Sequence, residues 1–459
     1  MTHLNSLYQK KIHFIGIGGI SMSGLAEIVH KKGFIVTGSD IKESLTTKHL
    51  MSLGISVHYG HSPENVADDT ELVVYTAAIS QDNPELQACI QKGLKLVTRS
   101  QFLGLMMKEY NYPICIAGTH GKTTTTSMLS HGLLAADLDP TITVGGILKT
   151  LNGNIRTGKS EYFLTEACEY CDSFLDFFPK IGVILNIEED HLDYFKDIHQ
   201  IRTSFQKFAA SIPSDGFLAI NATIDEVKDF IRPLTCQVET FGLDSSADWY
   251  ADAITFDDEA CASFNVYYKG TLMERITLHS PGPHNILNCL SVCSVCHFLG
   301  IKLDILNRGL KAFTGANQRF EIKGKFKDVT VVDDYAHHPT EISATLNISK
   351  VYPHNELYLV FQPHTYTRTK AFLNEFATVL SDADHVIITD IYAAREKNPG
   401  DISAKDIADK IHSLGKEALY MPDFKEVANY LSSHVSSGDL VITMGAGNVN
   451  QIADILLNN

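Results

Sequence analysis

No stretch of the 459 residues strings together enough apolar side chains to span a bilayer, and no low-complexity tract interrupts the chain. The opening "MTHLNSLYQKKIHFIGIGGISMSG" places lysines before an apolar run, as a secretory leader would. Glycines break that run and an amphipathic stretch follows, so it reads as a strand and a glycine turn. Basic side chains are the minority: 38 against 54 acidic ones, a formal charge of −16. The resulting field repels polyanions and excludes non-specific binding to nucleic acid or anionic membrane. Small phosphate ligands stay possible, because backbone amides and one or two cations can hold them. The cysteines number nine, an odd and scattered set that predicts reduced thiols in the cytoplasm. Cys289, Cys293 and Cys296 have a cluster-like C-x3-C-x2-C spacing, but that spacing is also one face of an apolar helix. Cys168 and Cys171 form a C-x-x-C with no second pair to complete a zinc site.

One more absence carries information. In "ICIAGTHGKTTTTSML", Ile114 to Leu129, the usual phosphate loop G-x-x-x-x-G-K-[ST] would require glycine at 116, where Ile116 stands. Gly118 comes two residues late. The context is nevertheless that of a phosphate loop: an apolar strand, a glycine turn, then a helical pattern. Lys122 can reach β- and γ-phosphates, Thr123 can offer its hydroxyl to Mg²⁺, and amides 119 to 124 can surround phosphate oxygens. The four threonines from Thr123 are expected to satisfy first-turn amides with their hydroxyls.

A chain of this length predicts about two to four domains. Strand and helix patterns alternate in three blocks, which predicts an α/β protein of three domains, each a mainly parallel sheet with helices. We place them at 1–107 (Rossmann-like), 108–314 (central phosphate-loop domain) and 315–459 (Rossmann-like). The segment from "FDDEACASF" to "LHSPG" alternates like antiparallel strands.

In the first block, Gly16, Gly18 and Gly19 follow a strand and precede a helix, which suits a pyrophosphate. Ser21 stands where a dinucleotide fingerprint would carry its third glycine, and Asp40 ends the next strand, where an acid commonly accepts a ribose hydroxyl. A glycine turn that merely packs helix on sheet would look the same. In the second block, "FLTEACEYCDSF" offers Glu166 and Glu169. "ILNIEEDHLDYF" offers Glu188, Glu189, Asp190, His191 and Asp193, also at strand ends.

"AGTHGKTTTT", "EACEYCDSF", "NIEEDHLD", "PGPHNILN", "RFE", "DDYAHHPTEI" and "QPHTYTR", in that order and spacing, resemble the ATP-dependent Mur ligases of peptidoglycan assembly. The resemblance covers nearly the whole chain, and the shortened loop is that family's form. With "IGIGGISMSGLA" in front, the pattern is most similar to members acting on UDP-N-acetylmuramate and L-alanine. The resemblance implies an ADP-forming acid–amino-acid ligase using ATP and Mg²⁺ through an acyl phosphate, and a monomer or weak homodimer. The UDP-sugar would lie at Gly16, Gly18, Gly19, Ile20, Ser21, Asp40, Thr76 and Ala77. ATP would lie at Gly118, Thr119, His120, Gly121, Lys122, Thr123, Thr124, His284, Asn285, Asn288, Arg319 and Asp334. Thr123, Glu166 and His191 would hold metal; Tyr335, His337, His364 and Arg368 would surround the amino acid. Lys122, His191, His337 and Arg368 would be catalytic, with either histidine able to take the amine's proton.

The chain departs from the family pattern at Thr365, where arginine is frequent, at Arg395 and Glu396, and at Cys168, which replaces an acid. Phe205 occupies the place of a lysine that some sister ligases carbamylate, so no such modification is expected. His30, His49, His58 and His61 are expected on the surface or packed against helices. The rival readings are a recycling ligase that attaches a tripeptide to the same sugar, a nicotinamide-dependent oxidoreductase, and a non-catalytic nucleotide-binding regulator.

Overall fold

The computed structural model describes residues 10–76, 78–148, 153–315, 318–394 and 396–458. Short apolar runs bounded by glycine turns form the strands, and three sheets follow one another along the chain. The first contains β1 (Lys11–Ile15), β2 (Ile35–Asp40), β3 (Ser56–Tyr59), β4 (Thr70–Tyr75) and β5 (Lys95–Thr98). Its order is β3-β2-β1-β4-β5, all parallel.

The second sheet is built from β6 (Tyr112–Ala117), β7 (Thr141–Leu148), β8 (Gly153–Arg156), β9 (Tyr162–Ala167) and β10 (Ile181–Ile184). It continues through β11 (Phe217–Asn221), β12 (Gln237–Gly242), β13 (Trp249–Phe256), β14 (Cys261–Tyr268) and β15 (Thr271–Pro281). The order is β15-β14-β13-β12-β11-β10-β6-β9-β7-β8. From β12 to β9 the pairing is parallel, and the central strands β6, β10 and β11 are largely apolar runs buried on both faces, such as "IGVI" of β10. β13 to β15 pair antiparallel, in the segment whose alternation indicated it.

The third sheet holds β16 (Glu321–Phe326), β17 (Val329–Asp334), β18 (Leu357–Phe361), β19 (His385–Ile388), β20 (Ala418–Tyr420) and β21 (Leu440–Met444). Its order is β16-β17-β21-β18-β19-β20, parallel except for the β16 edge. The expected three-domain α/β architecture is what the chain forms.

The second core explains the cysteine spacing. The helix His284–Phe298 lays Cys289, Cys293 and Cys296, all fully buried free thiols, among Leu290, Val292 and Val295. Phe205 packs edge-on against Phe174 in a neighbouring core, at 5.2 Å between ring centroids. Each large apolar side chain so buried contributes about 1.5–3 kcal/mol. No helix of the described residues is long and apolar enough to cross a membrane.

In open α/β sheets, ligands bind beyond the carboxyl ends of the strands. Beyond β6 lies the loop 118–121, Glu166 stands near the end of β9, and residues 185–191 follow β10. Asp334 ends β17, and His364 follows β18. The second and third sheets therefore direct their loops toward one seam.

Candidate active site

The glycine loop is shaped by two residues with positive φ, Gly118 (148°) and Gly121 (85°). A Cβ at Gly118 would come 2.9 Å from the Leu185 side chain, and one at Gly121 would come 2.8 Å from Asn288 Oδ1. Asn186 ties down the crest: its Oδ1 accepts the His120 N–H at 2.8 Å and its Nδ2 donates to the His120 carbonyl at 3.1 Å. The helix Lys122–Ala135 then starts with no side-chain cap. The expectation that threonine hydroxyls satisfy its first amides is not met. Thr123 donates to Glu166 instead, and the buried Thr125 and Thr126 hydroxyls have no hydrogen-bond partner among the described residues. Uncapped amides at a helix start favour an anion there.

Lys122 is not free. Its ammonium donates to the Gly118 carbonyl, to the Thr119 carbonyl at 3.0 Å and to Glu169 at 3.0 Å. Burial alone would lower its pKa, but the Glu169 charge outweighs burial and pushes it up. Glu166 accepts the Thr123 hydroxyl at 3.0 Å on one oxygen and the Gly145 N–H at 2.7 Å on the other. Burial pushes its pKa up against both hydrogen bonds. An oxygen-donor pair holding a buried carboxylate fits a hard dication such as Mg²⁺. His191, at φ 53°, has Nε2 3.8 Å from Glu169 and its ring 4.6 Å from that of Tyr170.

A cavity of about 340 Å³ opens beside the loop, and His284, Asn285, Asn288, Arg319 and Asp334 line it together with His120, Gly121 and Thr124. Asn285 donates to the Pro281 carbonyl and accepts from Asn288, which stiffens the wall. Asp334 accepts the Phe320 and Ala336 amides, each at 2.7 Å, and burial pushes its pKa up to about 6 despite Arg319. Burial takes His284 down to about 4.

Tyr335, His337, His364 and Arg368 form one cluster. The rings of Tyr335 and His337 lie 5.3 Å apart, and those of His337 and His364 5.5 Å apart. Arg368 Nη1 donates to His364 Nδ1 at 3.0 Å. Burial lowers His337 to about 4 and His364 to about 3, so both imidazoles are neutral at physiological pH. Contacts from 188–191 join this cluster to the second domain. Arg368 pairs with Asp190, Thr340 donates to Glu188 at 2.8 Å, and His338 Nε2 donates to the Glu189 carbonyl at 3.0 Å.

In the first domain Gly16, φ 81°, turns so that its N–H and that of Ile17 both donate to the Ser39 carbonyl. The Gly18 N–H donates to Asp40 at 2.8 Å, and a Cβ at Gly16 would come 3.0 Å from Thr76. Gly19 precedes the helix Ile20–Lys31, whose first residues are Ile20 and Ser21. The glycine loop, Asp40 and Thr76 thus meet at one edge; Ala77 and Arg395 lie outside the described residues.

Thr365 takes φ 66° and caps the helix Tyr366–Ala371, accepting the Arg368 N–H, so this departure serves the local turn. Glu396 accepts the Thr367 N–H at 2.9 Å. Burial raises the Cys168 thiol to about 11.

Several features of the site escaped the sequence reading, which placed His120 only among the ATP contacts. His120 is a charge centre: burial would lower it, but Glu188 and Glu341 hold it at about 9. Glu341 and His338 were visible only as letters of "DDYAHHPTEI", and Tyr392, stacked 5.8 Å from His364, lies in a loop with no chemical signature of its own. His61 takes the second of its two expected places, against a helix: its Nδ1 meets the buried Glu85 of the helix Pro84–Gln91 at 2.9 Å.

Comparison with known proteins agrees with this geometry. Residues 11–111 match the Mur ligase family, catalytic domain; 116–296 the Mur ligase middle domain; and 318–447 the Mur ligase, glutamate ligase domain. A UDP-N-acetylmuramate–L-alanine ligase of Agathobacter rectalis is 53% identical over 446 residues, covering 97% of each chain. The crystal structure of a UDP-N-acetylmuramate–alanine ligase from Thermotoga maritima superposes with a TM-score of 0.81 at 30% identity, covering 98% of each chain. A murein peptide ligase from Psychrobacter arcticus, 24% identical and covered to 98% like this chain, shares the fold with a TM-score of 0.72. Matched in all three of its domains, the chain belongs to the Mur ligase family.

Proposed function

We propose that this chain joins L-alanine to the lactyl carboxylate of UDP-N-acetylmuramate, with ATP converted to ADP and phosphate, in peptidoglycan precursor synthesis. The observation that carries the reading is the seam itself. There the phosphate loop and the basic, aromatic cluster of the third domain confront each other across residues 188–191. The activity named for the 53% identical relative, covered nearly end to end, supports the choice of substrates.

A carboxylate is a poor electrophile, so amide formation in water requires an acyl phosphate. The γ-phosphoryl must pass between two anions that repel each other, and positioned positive charge lowers that barrier. Lys122 supplies one such charge once the phosphates displace Glu169. Thr123 and Glu166 would hold one Mg²⁺ and His191 would help hold a second; both ions, when bound, screen phosphate charge and polarise the transferring group. Gly118 to Thr124 cradle the phosphates, while His284, Asn285, Asn288, Arg319 and Asp334 enclose the rest of the nucleotide. Gly16 to Ser21, Asp40, Thr76 and Ala77 hold the UDP-sugar.

Arg368, oriented by Asp190, receives the amino acid's carboxylate. His337 donates its Nδ1–H to the Tyr335 carbonyl at 2.8 Å, which leaves Nε2 with a lone pair. That lone pair accepts a hydrogen bond from the amine and orients it for attack. Closure of the seam excludes the water that would hydrolyse the acyl phosphate.

A second reading, a recycling ligase for a preformed peptide, draws on a cavity beyond Arg368, lined by Leu192, Tyr366, Thr367, Lys370 and Lys397. Phosphate release with UDP-N-acetylmuramate and ATP decides between them, comparing L-alanine, glycine, L-serine and the tripeptide. L-alanine should be preferred. A preference for tripeptide transfers the assignment to recycling, and no amide with any amine removes the ligase reading.

A further inference from the structure

Four side chains meet at the seam, His120, Glu188, His338 and Glu341, and the scheme above uses none of them as a metal ligand. They come from both domains, two from the phosphate-loop side and two from the segment around the start of the helix Pro339–Ser349. One ligand atom from each of His120, Glu188 and His338 falls within 4.8 Å of the others.

The hydrogen bonds around the two imidazoles are arranged as they are around metal-bound histidines. There, one ring nitrogen binds the ion while the other donates to a carboxylate or a backbone carbonyl that fixes the tautomer. His120 Nδ1 lies 3.2 Å from the Glu341 carboxylate, and its Nε2 is buried without a hydrogen-bond partner among the described residues. His338 Nε2 donates to the Glu189 carbonyl at 3.0 Å, and its Nδ1 caps the helix by accepting the Thr340 N–H at 3.3 Å. Glu188 is steadied by the Thr340 hydroxyl at 2.8 Å. Both histidines thus have outer partners in place; the His120 Nε2 is unpartnered among the described residues, and the His338 Nδ1 would exchange its weak cap bond for the ion.

From this arrangement we infer a binding site for a transition-metal dication of the zinc class, with His120 Nε2, His338 Nδ1 and a Glu188 oxygen as ligands. Bonds of 2.0–2.1 Å to a tetrahedral zinc set its ligands about 3.4 Å apart. His120 Nε2 and Glu188 Oε2 already stand 3.5 Å apart, so one edge of the tetrahedron exists, and His338, within 4.8 Å of both, would have to draw in to close the other two. Two imidazoles and one carboxylate select zinc, cobalt or nickel over magnesium, which favours oxygen donors such as Thr123 and Glu166. The fourth position is open to water.

Such an ion would link the second and third domains at the mouth of the nucleotide cavity, which His120, Glu188 and Glu341 also line. It clamps the seam shut, slowing nucleotide admission and product release, and so inhibits turnover while leaving the magnesium site untouched.

Cobalt is the probe. The whole protein, stripped with a chelator and desalted, is titrated with Co²⁺ in excess Mg²⁺ and without nucleotide. One equivalent should give the intense visible absorption of a four- or five-coordinate ion, without the sulfur charge-transfer band that cysteines would produce. His338→Gln and Glu188→Gln should each abolish it. Glu188 is partly exposed, so its variant tests the site even if His338→Gln fails to fold. In ligation assays at saturating Mg²⁺, Glu188→Gln should need about tenfold more Zn²⁺, or higher, for the same inhibition. Weak octahedral absorption, a sulfur band, or spectra unchanged in Glu188→Gln would overturn the inference and leave a protonated His120 between two carboxylates. The cobalt titration gives its answer whichever amine the chain ligates.

Discussion

Asp190 and Arg368, 178 residues apart in the chain, meet across the domain seam: one carboxylate oxygen accepts Nη2 at 2.7 Å and Nε at 3.2 Å. Both side chains are only 10% exposed. Burial would raise the Asp190 carboxyl, but the guanidinium overrides burial and holds it well below the usual carboxylate range. The pair is therefore ionised throughout the working pH range, and it joins the two domains before any substrate does so.

Removing one partner of a buried ion pair strands the other, at a cost of about 3 kcal/mol. Asp190→Asn should lower kcat/KM for L-alanine roughly 100-fold, with Arg368 left uncompensated in the seam. Arg368→Lys should do comparable damage, because an ammonium cannot reproduce the two-nitrogen contact. Steady-state kinetics with varied L-alanine checks both; a change confined to the KM for ATP would contradict the placement of Arg368.

The phosphate-loop lysine gives a second test. With Glu169 as its counter-charge at 3.0 Å, Lys122→Ala should abolish ADP formation. The UDP-sugar loop at Gly16 to Ser21 belongs to a different sheet, so titration calorimetry with UDP-N-acetylmuramate should show an affinity changed by less than about twofold. Loss of sugar binding would mean that the two sites are not separate.

A third concerns Gly145, whose N–H donates to Glu166 at 2.7 Å. A Cβ at this position would stand 2.9 Å from Glu166 Oε2, a contact that the carboxylate must yield to. Gly145→Ala should therefore raise the Mg²⁺ concentration for half-maximal rate by about tenfold, the size expected for a displaced ligand support. Excess Mg²⁺ should restore most of the rate, whereas a folding defect would not be rescued.

Legibility from sequence followed how local the signal was. The three sheets were readable because parallel strands are short apolar runs between glycine turns, as in "KIHFI" and "LVITM". The loop Gly118 to Thr123 was readable because strand, glycine turn, lysine and hydroxyl all lie within a dozen residues. Partnerships across the seam were not, since nothing in the letters of "NIEEDHLD" says that Asp190 meets Arg368 or that Glu188 meets Thr340. The threonine run misled for a related reason. Propensity assigns its hydroxyls to helix capping, but Glu166 lies near the end of β9 and takes Thr123 for itself. Thr365 looked like a lost cation, and its function as a cap became visible only from the positive φ at the start of its helix.

The last prediction concerns pH. Glu85 is fully buried beside β1, where it meets His13 Nε2 at 2.7 Å, Ser39 Oγ at 2.6 Å and His61 Nδ1 at 2.9 Å. Burial alone would raise its pKa, but the hydrogen bonds from His13, Ser39 and His61 more than offset this and lower it below 4.5. An acid whose folded pKa lies below its unfolded one stabilises the fold above the unfolded value, and the stabilisation is lost as pH falls from there through the folded one. Stability of the first domain should thus be flat near neutrality and decline below about pH 4.5. Glu85→Gln should be about 3 kcal/mol less stable at pH 7 and should lack that acid-induced decline. Hydrogen exchange of the β1 and β2 amides reads this domain separately from the other two. Because the Ser39 carbonyl also receives the Gly16 and Ile17 amides, the same variant should loosen the glycine loop and weaken UDP-sugar binding. An unchanged exchange profile in Glu85→Gln would reduce the His13–Glu85–His61 group to passive packing.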